Sequence, residues 1–253
     1  MDASLYATFY AVEDWYWWSV GTRAIFREWL VAALETPAPH LLDVGCGCGA
    51  LTHELTALGK VTGLDISPRA IDYTRRRGLR KLCVGRAETL PFKTAYFDAV
   101  TAVDVMEHTD DDRSTLREIA RVLRPGGAAL IHVPAFPVLW GEHDEVNHHR
   151  CRYRRTPLGA LIEESGLHIE RLSYINCLIF PPALAIRLGK RGLRRIAGAT
   201  TLKPEIYDLP RWFNSALITL LGLERALLQR VNLPFGVSLL CLARKHRMSP
   251  DCC

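Results

Sequence analysis

The sequence predicts an α/β protein built on a parallel sheet with helices on both faces. Three observations predict it. From residue 40 to residue 134, short apolar runs alternate with amphipathic segments, and strand–helix alternation means a parallel sheet covered on both sides. One run, Leu41-Leu42-Asp43-Val44, passes straight into Gly45-Cys46-Gly47-Cys48-Gly49 and then into Ala50, Leu51, Leu55 and Leu58 at helical spacing. That reads as buried strand, tight glycine turn, helix. The next run, Lys60 to Asp65, ends in an acid twenty residues after Gly45.

At 253 residues the chain can bury one sizeable core with room for one excursion. Apolar residues make up 49%, charged residues 23%, and the net charge is +5, the profile of an ordinary soluble globular protein. The eight cysteines, at 46, 48, 83, 151, 177, 241, 252 and 253, include no C-x-x-C pair. Reduced thiols in the cytoplasm are expected, not a disulfide scaffold or zinc ribbon. Met1 to Ser4 lacks the basic start of a secretion signal. No run approaches ~18 apolar residues, so no membrane-spanning helix is expected. Cys252-Cys253 lacks the C-a-a-X pattern of a lipidation signal.

In chain order, residues 1–36 form an aromatic N-terminal segment with Tyr6, Tyr10, Trp15, Tyr16, Trp17 and Trp18, and helical spacing from Val20 to Leu34. It reads equally as a helix packed on the core and as a lid whose aromatics exclude water from a ligand mouth. After Asp65, Ser67-Pro68 opens a helix, with Ser as cap and Pro in the first turn. Strands follow at Lys81 to Val84 and Phe97 to Val103, the latter closed by Asp104-Val-Met-Glu-His108. Asp110 to Asp112 leads a helix over Leu116 to Leu123, since acids favour a helix start. Arg124-Pro-Gly-Gly127 is a turn, Ala128 to Pro134 a strand, Thr156 to Ser165 a helix and Leu167 to Ile175 a strand.

The glycine turn carries chemistry. Gly45 and Gly47 lack Cβ, so a ligand can lie against the backbone. The following helix start offers unpaired N–H groups and a positive dipole. A carboxylate at Asp65 can accept both hydroxyls of a ribose. Gly45, Gly47 and Ala50 also satisfy G-x-G-x-x-G/A, so spacing alone leaves NAD(P) and S-adenosylmethionine (SAM) both open.

The later pieces are more specific. Leu42-Asp-Val-Gly-Cys-Gly-Cys-Gly49, Gly63-Leu-Asp-Ile-Ser67, Ala87-Glu-Thr-Leu-Pro-Phe92, Phe97-Asp-Ala-Val100, Asp104-Val-Met-Glu-His108 and Arg121-Val-Leu-Arg-Pro-Gly-Gly127 occur in one order with suitable gaps. In these pieces the chain resembles a class I SAM-dependent methyltransferase, of the type 11 or type 23-like subgroup. The resemblance implies a Rossmann-like, mostly parallel sheet of seven strands with the final strand antiparallel, and SAM in place of NAD(P). It implies that Gly45 and Gly47 admit the methionine part of SAM, with Asp43 and Cys46 in the same loop. Asp65 would hold the ribose, Ile66 would lie against the adenine, Ala87 and Glu88 would edge it, and Asp104 would lie near the methionine end. One position departs from the pattern: after Gly85, where the family usually has an acid, stands Arg86, which has no acceptor capacity.

Residues 134–155 leave the last parallel strand on the ligand side and hold His143, Asp144, Glu145, Asn147, His148 and His149, flanked by Trp140 and Tyr153. Three readings stay open. The first is acceptor positioning with His143 or His148 as general base, since His titrates near neutrality; Tyr16, Trp17, His108, Trp140, His149 and Tyr153 would then line the acceptor site. The second is a loop tied by ion pairs. The third, a metal site, lacks any sign that the ligands converge, so no metal is expected. The loop, with Trp17-Trp18 and Gly21-Thr-Arg23, resembles that of a bacterial methyltransferase subgroup associated with lipid or polysaccharide pathways.

The core therefore spans 37–175, and its final strand, Gly236 to Arg244, lies in 236–253. Residues 176–235 are a helical insertion: apolar from Cys177 to Ile186, then basic, with no acid between Arg171 and Lys203, and a second apolar helix from Phe213 to Leu228. Such a pair packs on the domain or a second subunit, or lies on an anionic membrane surface. A basic stretch without a recognition motif gives no case for nucleic acid. The function expected is SAM-dependent methyl transfer, by in-line displacement, to a small-molecule, lipid-linked or glycan-related acceptor. The alternatives are a SAM-binding module without catalysis and, less well supported, an NAD(P)-binding oxidoreductase.

Overall fold

The computed structural model describes residues 3–197 and 209–247, with side chains at 5–190 and 209–247. Pro204, the arginines at 191, 194 and 195 and Cys252-Cys253 lie outside the residues whose side chains are described. The elements run α1 (Ala3–Val12), α2 (Trp17–Ala33), β1 (His40–Val44), α3 (Ala50–Leu55), β2 (Lys60–Asp65), α4 (Pro68–Arg76), β3 (Leu82–Val84), β4 (Phe97–Val103), α5 (Asp112–Val122) and β5 (Leu123–Pro134). Then come α6 (Glu142–Val146), α7 (Arg155–Glu164), β6 (Leu167–Ile175), α8 (Phe180–Ala197), α9 (Arg211–Leu228) and β7 (Ser238–Lys245). A 3₁₀ turn, Met106–His108, follows β4.

The seven strands stand in the order β3-β2-β1-β4-β5-β7-β6. β7 runs antiparallel to both its neighbours, and the other pairings are parallel. The expected fold class is thus present, helical insertion included. Leu41 to Val44 and Ala128 to Pro134 are buried throughout, because helices cover both faces of the sheet. One continuous core joins α2, the central strands and α5.

Local details depart from expectation. The Arg124–Gly127 turn lies inside β5: Phe97 pairs with Leu123 and Ala99 with Ala128, so the Pro-Gly-Gly segment loops out against Asp98. Asp98 holds that loop-out by accepting from Arg124 Nη1 at 2.7 Å and from His40 N at 2.7 Å. Ser67 makes no side-chain cap to α4; its N–H instead donates to Asp65 Oδ1 at 2.8 Å. Asp111 caps α5, accepting from Arg113 N and Ser114 N. α3 has six residues, under two turns, so little macrodipole accumulates there. What the glycine loop offers a ligand is open backbone.

α9 packs on α2 at Gly21, where a Cβ would come within 2.3 Å of Leu221 Cδ1. Asn214 of α9 accepts from Trp17 N at 2.9 Å and donates to Trp15 O at 2.8 Å. α8 lies over the loop after β5, through Lys190–Glu142 at 3.2 Å and Phe180 against Phe136. Ile186, Leu188, Trp212, Phe213, Leu223 and Phe235 remain exposed. Among the described residues no helix is long and apolar enough to cross a membrane.

Candidate functional site

The glycine loop leaves β1 in a conformation L side chains avoid: φ is +71° at Gly45, +54° at Gly47 and +87° at Gly49. A Cβ on Gly45 would strike Val105 Cγ2 at 2.3 Å, whereas one on Gly47 would meet only Gly45 O at 4.0 Å. Leu64 O at the end of β2 anchors the loop by accepting from Gly45 N at 2.7 Å and Cys46 N at 3.0 Å. Asp65, 8% exposed, accepts from Gly47 N at 3.0 Å and Ser67 N at 2.8 Å. A carboxylate has about four lone-pair sites, so two remain for a diol. Burial pushes the Asp65 carboxyl up, while the Ser67 and Gly47 N–H groups oppose that shift.

Beside Asp65, Ile66 and Val84 expose their apolar surfaces at 60% and 51%, which leaves room for a flat ring. Ala87 is buried behind them. Arg86, the departure from the family pattern, bridges Glu88 and Asp110 at 2.9 Å each. Glu88 Oε1 also accepts from Asp110 N, so this carboxylate is engaged within its own loop.

Asp43 and Cys46 lie behind the loop. Asp43 is buried and accepts from Thr52 Oγ1 at 2.6 Å and Thr101 Oγ1 at 2.7 Å, tying β1 to α3 and β4. Burial raises its carboxyl to about 6, against the two threonine hydroxyls. The Cys46 thiol packs against Thr74 Oγ1 at 3.7 Å. In this geometry the two side chains shape the loop from behind. The aromatic segment contributes a residue that sequence reading did not nominate. Tyr6 is buried on the glycine loop, with Cys48 Sγ donating to its carbonyl at 3.3 Å and its hydroxyl bonded to Ser67 beside Asp65. α1 therefore roofs the glycine loop beside Asp65.

At the end of β4, Asp104 takes a left-handed φ of +52°. Its Oδ1 lies 2.8 Å from Nδ1 of buried His132 on β5. Burial would raise the Asp104 carboxyl, but His132, with His149 and His143 nearby, holds it below the ordinary value. Next comes a cluster in which His108 and His149 have ring centroids 4.8 Å apart and His143 and His149 5.5 Å. His149 Nδ1 lies 2.9 Å from Asp144 Oδ1. Asp144 is fully buried and also accepts from Arg152 Nε at 2.8 Å, Arg152 Nη2 at 3.1 Å and Gly141 N at 2.8 Å. Burial acts to raise its carboxyl, yet His149 and Arg152 hold it well below the ordinary range. His108 presents surface to the cleft, and the partly desolvated packing around its ring, with His149 adding to the shift, holds its imidazole below the ordinary value.

His143 is thus inside the cluster. His148 is not: it takes φ +56° with an exposed side chain, and its carbonyl accepts from the His108 ring. Tyr153 is buried, its hydroxyl donating to Asp112 Oδ2 at 2.9 Å and its backbone bridging Ala135. That side chain fastens the loop to α5. Tyr16 is buried at the start of α2, and Trp17 presents a buried Nε1 with no partner among the described residues. Trp140 is half-buried ahead of α6. Glu107, His132 and Arg152 joined the site only in three dimensions. All three are polar residues at buried positions, and the groups they face stand on other segments: Asp104 for His132, Asp144 for Arg152 and the His149 ring for Glu107.

The pattern of this sheet edge is shared. A family model described as a methyltransferase domain matches residues 42–131. The ubiquinone biosynthesis O-methyltransferase of Xanthomonas axonopodis pv. citri is 30% identical over 166 residues, 58% of this chain and 70% of that protein. The chain belongs to the class I SAM-dependent methyltransferases.

Its type 11 domain places SAM as the cofactor of the family. The O-methyltransferase cnsE of Penicillium expansum is 37% identical over 121 residues, 44% of each protein; the chain spans less than half the length of the first curated methyltransferases it matches. A solved structure of a putative methyltransferase from Haloferax volcanii, in complex with the activator Trm112, superposes with a TM-score of 0.61 at 20% identity, covering 97% of this chain and 96% of that one. That likeness speaks for the methyltransferase fold.

Proposed function

We propose that the protein transfers the methyl group of SAM to a hydroxyl of a small-molecule acceptor. The observation that carries this reading is the shared edge of the sheet. The open backbone at Gly47, the carboxylate of Asp65 and the His108–His143–His149 cluster beside Asp104 all lie beyond the C-terminal ends of β1, β2 and β4. A sulfonium methyl needs an aligned nucleophile and little covalent help, so the protein supplies proximity and orientation. Gly45 and Gly47 admit the methionine portion, Asp65 takes the ribose hydroxyls, Ile66 covers the adenine, and Ala87 with Glu88 edges it. Asp104 faces the methionine end. Transfer forms an O–C bond and breaks the S–C bond, leaving its electron pair on sulfur. The acceptor proton goes to His143, which stands beside Asp104 and His149, and not to His148, whose side chain is turned out. The O-methyltransferase names of the two curated relatives support an oxygen acceptor.

The exposed apolar residues of α8 and α9, together with the acid-free basic stretch of the sequence over residues 187–195, support a lipid-linked acceptor met at an anionic membrane surface from the cytoplasmic side. A screen of phenolic, lipid-linked and glycan-linked hydroxyl acceptors with methyl-labelled SAM tests the reaction. Label in none, with SAM bound, would leave a binding module. Sedimentation with anionic but not neutral vesicles, weakening with salt, tests the surface; binding to neither would leave that face to a second subunit.

A further inference from the structure

We propose that Glu107, His108 and His149 form a site for a first-row divalent cation on the acceptor side of the cleft. Each offers one ligand atom, and these atoms lie within 4.8 Å of one another. Metal–ligand distances of about 2.0–2.2 Å put neighbouring donors roughly 3–4 Å apart, so closing the widest gap takes about an ångström of side-chain rotation.

The second, independent observation is Glu107 itself. It is fully buried, and neither carboxylate oxygen has a hydrogen-bond partner among the described residues. A buried charge is retained when it is paired or coordinates a metal, and polar atoms of this kind are rarely left orphaned. A cation at the cluster would take one of those oxygens as a ligand and neutralise the charge of the carboxylate.

The two histidines are set up from behind. His149 Nδ1 faces Asp144 Oδ1 at 2.9 Å, and Arg152 and Gly141 N fix that carboxylate. The Nδ1 proton belongs on that side, which leaves the Nε2 lone pair for a metal. His108 donates its own ring N–H to the His148 carbonyl, leaving its other nitrogen. A carboxylate or backbone carbonyl behind a ligating imidazole is the usual support of a metal site. The two segments are clipped together by Arg150 N donating to Glu107 O at 2.8 Å.

Two imidazoles and a carboxylate suit zinc, manganese, iron or cobalt, whereas calcium and magnesium favour oxygen-only sets. Three protein donors leave coordination positions open. Asp104 opens the same turn three residues before Glu107, so an acceptor hydroxyl bound at those positions would be presented toward the methionine end. The cation would lower the pKa of that hydroxyl, whose proton passes to His143 before its oxygen takes the methyl. This use of the site rests on the methyl-transfer reading; cation binding does not.

The test takes the full chain, stripped with a chelator and titrated with Zn²⁺, Mn²⁺ and Co²⁺ by calorimetry, with Co²⁺ absorption as a spectroscopic readout. About one equivalent should bind, with Co²⁺ bands showing mixed nitrogen and oxygen ligation. Glu107→Gln and His149→Ala should each weaken binding at least tenfold, and Asp144→Asn roughly ten- to a hundredfold. SAM affinity, measured on the same samples, should stay within about twofold, which reports an intact fold; if His149→Ala does not fold, Glu107→Gln decides. No binding by the folded wild type, or binding that Glu107→Gln leaves unchanged, overturns the site and leaves Glu107 as a neutral buried acid. Cation binding without label transfer to any acceptor would sink the methyl-transfer reading and leave the site standing. Full turnover in the stripped enzyme would remove the site's part in the reaction.

Discussion

Asp65→Ala is the substitution that most directly probes the cofactor reading. Asp65 already accepts one backbone N–H on each oxygen, from Gly47 and from Ser67, and the two remaining lone-pair sites are assigned to the ribose diol. Hydrogen bonds to a charged group contribute about 1.5–3 kcal/mol each. Water re-entering the truncated site offsets part of the loss of two, so a net of about 1.5–3 kcal/mol is expected, or roughly ten- to a hundredfold in SAM affinity. Asp65→Asn keeps one acceptor and should fall at the lower end. Calorimetry with SAM and with its demethylated product gives the number; circular dichroism checks the fold, since the Gly47 and Ser67 N–H groups lose their partner. A pH series adds a signature. Binding needs the ionised carboxylate, and burial holds its pKa above the ordinary value. Affinity should therefore fall as pH drops, and begin to fall at a higher pH than an ordinary aspartate would give. Unchanged SAM affinity in a folded Asp65→Ala protein would refute the assignment of the ribose to this residue.

Three further outcomes are expected. His143→Ala should lower turnover about 10²–10⁴-fold with SAM affinity nearly unchanged; a parallel loss of affinity would place His143 in the cofactor site or the fold. Gly21→Ala should destabilise by about 1–3 kcal/mol through overpacking against Leu221, read as a lower thermal midpoint, and Leu221→Ala in the same chain should restore part of it; a neutral Gly21→Ala would mean that α9 does not pack as described. For Asp43, the folded pKa of about 6 stands above the ordinary 3.8. Its contribution to stability is fully present below pH 3.8 and is lost as pH rises through about 6. Urea midpoints across that window should therefore show a fall in the wild type that Asp43→Asn flattens, and identical slopes would argue against a buried, raised carboxyl.

The residues most legible in the sequence were those whose signal is local. Gly45 and Gly47 could be read because only glycine tolerates the left-handed φ they adopt. Asp65 could be picked out because it closes the strand after the glycine turn at the spacing expected of a ribose-binding acid, and its carboxylate does meet that turn at Gly47 N. Leu167 to Ile175 emerged as a strand within the stated bounds, since a short apolar-rich run between turn signals carries its own boundaries. Asp43 was harder. It stands in the same motif, but Thr52 on α3 and Thr101 on β4 decide which way its carboxylate faces, and no spacing within the motif encodes that.

The sequence by itself determined the order of the core strands and helices, α6 excepted, the glycine turn and the acid that faces it, because hydrophobic period and backbone permissiveness act over a few neighbouring residues. It also showed that the final two strands are separated by too long a segment for a turn. Only the tertiary structure decided which polar residues meet. His143, His148 and His149 are near neighbours in the chain, yet a single left-handed φ at His148 turns that side chain out and leaves its carbonyl for His108. Glu107 reaches His149 only because Arg150 N–H closes on the Glu107 carbonyl. Tyr6 reaches Ser67 and Cys48 only because α1 folds back over the glycine loop. The physical reason is common to all three: local periodicity shows which residues are buried, but which buried groups become partners depends on how distant segments dock, and that is settled by packing and hydrogen bonding across the whole fold.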